Sequence, residues 1–101
     1  MRELQGKIDG PFSINEDSTL RGMITVEAIV RRGVVFHVHG MITGDLTIED
    51  GASAIVHGMV NGTVRNYGAV VIYGKIDALT DLGPNSRSRI EEQAIVGTQR
   101  H

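Results

Sequence analysis

Apolar and polar residues alternate with a period of two along most of the chain. In one stretch Ile24, Val26, Ala28 and Val30 alternate with Thr25, Glu27, Ile29 and Arg31. In the next, Ile42, Leu46 and Ile48 alternate with Thr43, Asp45, Thr47 and Glu49. Val60 and Val64 then alternate with Asn61, Thr63 and Arg65. Period two means strands with one face buried, and the Val, Ile and Thr content suits strands. Turn signals separate the runs at Asn15-Glu16-Asp17-Ser18, Arg32-Gly33, Glu49-Asp50-Gly51 and Asn66-Tyr67-Gly68.

The runs repeat in register. "VHGMITG" (Val38 to Gly44) returns as "VHGMVNG" (Val56 to Gly62). Anchored on the glycine, the series is Gly6, Gly22, Gly40, Gly58 and Gly74, with spacings of 16, 18, 18 and 16 residues. Two residues before each glycine stands an aliphatic: Leu4, Leu20, Val38, Val56, Ile72. Two residues after stands another: Ile8, Ile24, Ile42, Val60, Ile76. Helical repeats need about 30 residues or more, so this unit is too short for them. It fits three short strands, which close one triangular coil at ~3.3 Å per residue. The next coil stacks ~4.8 Å above with like residues over like. An antiparallel meander or sandwich explains the alternation but not the constant register of the glycine phrase. The expected fold is therefore all-β: a single-stranded parallel β-helix of five to six coils, 16–18 residues per coil, forming one domain over residues 1–101.

Residues 81–101 are less regular. "DLGPNSRS" (Asp81 to Ser88) reads as an insertion, and "SRIEEQAIVG" resumes the phrase. There Ile90 alternates, Glu91-Glu92-Gln93 makes a turn, and Ile95 sits two before Gly97. A short helix from Ser86 or Ser88 through Glu92 competes with a further strand, since Ser is a favourable N-cap.

These phrases resemble the bactofilins, polymer-forming bacterial cytoskeletal proteins. "VHGMVNGTVRNYGAVVIYGKI" (Val56 to Ile76) carries the resemblance most closely, "SRIEEQAIVG" resembles the family's terminal coils, and the pattern spans about residues 4–97. The resemblance implies a right-handed β-helix whose coils stack end to end between subunits, without nucleotide, into scaffold filaments. Met1 to Gln5 does not supply the apolar membrane-targeting segment that some members carry, and flexible tails are nearly absent.

Composition narrows the function. The net charge of −2 gives no bulk attraction to nucleic acid. Without cysteine there is no disulfide, thiolate metal site or cysteine nucleophile. No apolar run approaches the ~18 residues of a transmembrane helix, so a cytoplasmic protein is expected. With aromatics at 4% and no Trp, the core must come from aliphatics. No catalytic triad order, carboxylate pair, P-loop or dinucleotide fingerprint is present. No enzymatic activity and no cofactor are expected.

The chemistry-bearing residues lie on the outward phase. His37 and His39 form an H-x-H pair pointing the same way, about 7 Å apart. His39 and His57 hold equivalent places in consecutive coils, and Tyr73 follows in the next. Three outward imidazoles are the metal-ligand candidates of the chain, set against the plain reading of polar residues on an outer face. H-x-H also resembles the cupins, but Glu49 lies ten residues past His39, beyond the usual cupin spacing. Left-handed hexapeptide acyltransferases need a longer stack than five or six coils. Met23, Met41 and Met59 each follow a repeat glycine, forming an exposed apolar stripe that Ile55 and Val71 extend. The expected interface is thus Met23, Met41, Met59, His39, His57 and Tyr73, and the expected partner is a second copy or another protein.

Overall fold

The computed structural model describes residues 2–92 and 94–96. The period-two segments are short strands, all paired in parallel. The first coil holds β1 (Arg2–Leu4), β2 (Lys7–Asp9) and β3 (Phe12–Ile14). The second holds β4 (Ser18–Leu20), β5 (Met23–Thr25) and β6 (Glu27–Val30). The third holds β7 (Val35–Val38), β8 (Met41–Ile42) and β9 (Asp45–Ile48). In the fourth, β10 (Ser53–Val56) is followed by β11 (Met59–Asn66), which runs along two sides of the triangle. The fifth repeats this with β12 (Ala69–Ile72) and β13 (Lys75–Asp81). A further turn begins with β14 (Arg87–Ile90) and β15 (Ile95–Val96). The result is a parallel β-solenoid of about five turns. This excludes the meander, the sandwich and the antiparallel barrel of a cupin.

Inward residues stack in columns. Leu4, Leu20, Val38, Val56, Ile72 and Ile90 lie in one register, and Ile8, Ile24, Ile42, Val60, Ile76 and Val96 in another. Most of these side chains are fully buried, as is Phe36, the largest fully buried residue among those described. The pairing also locates the difference between 16- and 18-residue coils. Ile14 and Ser18 stand over Val30 and Phe36, so the second coil gains two residues at its third corner. Arg31 to Val35 form that wider corner, and Glu49 to Ser53 form the next, each with a left-handed glycine, Gly33 and Gly51.

The recurring glycine stands where two coils touch. A Cβ built on Gly40 would lie 1.9 Å from the Gly22 carbonyl oxygen, and one on Gly58 would lie 2.0 Å from that of Gly40. Each of these carbonyls accepts from the coil above: Met41 N donates to Gly22 O and Met59 N to Gly40 O. A side chain here would force the coils apart.

Several sequence expectations are corrected. Val26 is not in the core; it is 57% exposed. It stands at the second corner, equivalent to Gly44 and Gly62, with φ at 76°. The left-handed backbone turns its side chain outward although its phase is inward. Ser18 and Asn66 are not surface turn residues; both are buried. Residues 87–90 form β14, not a helix, because they find a parallel partner in β12. Ile95 stands over outward Lys75, while Val96 takes the inward place over Ile76. The cause is a first corner two residues longer than in the preceding coil. Gln93 and Gly97, expected in a turn and as a repeat glycine, lie outside the described residues.

Candidate functional site

Coil stacking builds the site. The residue just before each corner glycine points outward from the first face of the triangle. In successive coils these are Arg21, His39, His57 and Tyr73. Parallel pairing fixes their spacing near the ~4.8 Å separation of neighbouring strands. His39 and His57 accordingly stack with ring centroids 4.7 Å apart and planes inclined by 7°. Tyr73 continues the stack on His57 at 4.7 Å and 8°. His37, two residues before His39 on β7, lies 6.5 Å from it with its ring tilted by 8°. A second outward column runs beside the rings, in which Ile55 pairs with His37 and with Val71.

The residue just after each corner glycine also points outward. Met23, Met41 and Met59 lie directly over one another. They are half-buried rather than exposed. Glycines without side chains form a floor beside the methionines. The result is an open groove of about 570 Å³ lined by Gly6, Arg21, the three methionines and the glycines between them. Asn61 Nδ2 approaches Met41 Sδ at 3.8 Å from the rim.

Electrostatics single out His39. Partial loss of water around its ring holds its pKa below the usual histidine value, and the neighbouring His57, Arg21 and His37 add to the effect. Arg21 itself pairs with Glu3, Nε to Oε2 at 3.3 Å. The ring nitrogens of His37, His39 and His57 include one from each that all lie within 4.8 Å of one another. Glu27 and Asp45 stand in register on the third face, where the Asp45 carboxylate pairs with Arg65 at 2.8 Å.

The structure stacks His39, His57 and Tyr73 in one outward column, with His37 beside it, and Met23, Met41 and Met59 in another. Sequence reasoning missed the groove floor, because a glycine column looks purely structural until the residues flanking it are seen to form walls.

No family model matches this chain, and neither does any curated protein or solved structure. The resemblance to bactofilins rests on the residue pattern alone.

Among the described residues no helix is long and apolar enough to cross a membrane. The rings and thioethers offer what a contact surface needs: polarisable and apolar groups on a rigid frame, with polar edges.

Proposed function

We propose that this chain is a non-enzymatic scaffold module that self-associates by stacking its coils end to end, as the bactofilin resemblance implies. One observation carries the reading. The inward column Leu4–Leu20–Val38–Val56–Ile72 continues into Ile90, which is 44% exposed, whereas Ile72 one coil earlier is fully buried. A column of core residues thus reaches β14, the outermost strand of its sheet among the described residues, with apolar surface open. Terminal strands such as β14 also present backbone donors and acceptors, which template further parallel pairing. A head-to-tail contact of this kind propagates instead of closing.

Sedimentation velocity and negative-stain microscopy on untagged protein test this reading. Self-association appears as mass that grows with concentration, and Ile90→Lys reduces it. A single small species at high concentration for the unsubstituted chain overturns it.

The groove favours a second reading, a solenoid that binds another protein along its methionine wall. In that case Met41→Glu abolishes partner capture while Ile90→Lys leaves it intact.

A further inference from the structure

The three imidazoles near the groove are more than a stack of flat rings. Their backbone positions are fixed by parallel pairing on both sides of β7, since β4 and β10 flank it. Their side chains are not fixed in the same way. Among the described residues no hydrogen bond holds any of the three rings. Each has a nitrogen lone pair to offer, and one nitrogen from each ring lies within 4.8 Å of the other two. An ion bound by imidazoles at about 2.0–2.1 Å holds its donor nitrogens roughly 2.8–3.4 Å apart in adjacent positions and about 4.1 Å in opposite ones. Rotation of His39 and His57, both exposed, closes that gap without moving a strand.

We infer that His37, His39 and His57 form a three-imidazole site for a late first-row transition ion, Cu(II) foremost. An all-nitrogen set with no carboxylate suits copper, nickel or zinc and not calcium or magnesium, and copper(II) binds tightest in that series. The nearest cation, Arg21, is already engaged by Glu3 at 3.3 Å, which offsets its repulsion of an incoming ion. The remaining coordination positions fall to water.

A purely decorative stack makes a different prediction, so the two separate by experiment. Untagged full-length protein, stripped with chelator, is titrated with CuCl₂ and followed by equilibrium dialysis and electron paramagnetic resonance. The site takes up one Cu(II) per chain, with nitrogen hyperfine structure from imidazole. His37→Gln, His39→Gln and His57→Gln each weaken uptake at least about tenfold, since even supporting residues of metal sites cost that much. His101→Gln, which removes the fourth histidine of the chain, leaves uptake unchanged. Circular dichroism verifies that the variants keep their β structure. Absence of stoichiometric uptake overturns the inference. So does uptake that survives loss of His39 and His57, or that is indifferent to His37→Gln.

Discussion

Asn66 donates from Nδ2 to Asp81 Oδ1 over 2.9 Å, joining the end of β11 to the end of β13. The position is unusual, because Asn66 fills the inward column occupied in earlier coils by Ile14, Val30 and Ile48. Its side chain is fully buried and fully used. Nδ2 also donates to the Arg87 carbonyl at 2.7 Å, and Oδ1 accepts from Gly68 N at 3.1 Å. Asp81 in turn accepts from Ser88 Oγ at 2.8 Å. One amide thereby ties both ends of the 82–86 loop to the coil below.

Asn66→Ala should destabilise the protein by about 1–3 kcal/mol, since it leaves the buried Gly68 amide without its partner and releases the Arg87 carbonyl and Asp81 from the coil below. Urea denaturation measures the loss. Hydrogen exchange should show faster exchange at residues 82–88 than elsewhere. A uniform change along the chain would count against a local clamp.

Replacing a corner glycine should have two different outcomes along one column. Gly40→Ala drives a methyl into the Gly22 carbonyl and should cost about 3 kcal/mol or more. Gly6→Ala meets no atom within 4 Å and only opposes a φ of +78°. It should cost about 1 kcal/mol. Equal losses in chemical denaturation would refute the close-approach explanation.

Val26→Gly should stabilise the protein. A β-branched residue at a φ of 76° is strained by roughly 1–3 kcal/mol, while glycine adds about 0.5–1 kcal/mol of unfolded-state entropy. The net gain is about 1 kcal/mol, and removing an exposed side chain forfeits little packing. A lower melting temperature for the variant would mean that Val26 contributes contacts outweighing its strain.

The titration of His39 has a definite sign. Its folded-state pKa lies below the unfolded value near 6.5, through partial desolvation first and then His57, Arg21 and His37. The unfolded chain therefore binds the proton more readily. This contribution is fully present above about pH 6.5 and is lost as pH falls through the folded pKa. Histidine ring resonances followed by NMR should show the lowered midpoint. His57→Gln should move it back toward the ordinary value.

The glycine register was legible because coil contact imposes one residue type at one recurring place, and the aliphatics around it inherited the phase. Legibility failed where a corner or a polar core residue broke that logic. Val26 keeps the inward phase, yet a left-handed corner turns it to solvent. Asn66 sits in a turn-like phrase, yet the longer final loop needs a buried amide to hold it. Residues 87–90 lack a strong β pattern and are made a strand by their neighbour, β12. The rings and methionines were legible by parity, but the groove along the methionines required knowing that the corner glycines form its floor.

The Gly40 and Gly58 corners have one further consequence. They are interchangeable joints, each meeting the coil before it through the same carbonyl contact. Residues 41–58 therefore form a cassette that begins and ends at matching joints. A tandem copy of that cassette would place Ile42, Leu46, Ile48, Ala54 and Val56 over themselves and add one more imidazole to the ladder. Molecular length in this architecture is set by copying, and surface chemistry is carried along in fixed steps, as graduations are on a ruler.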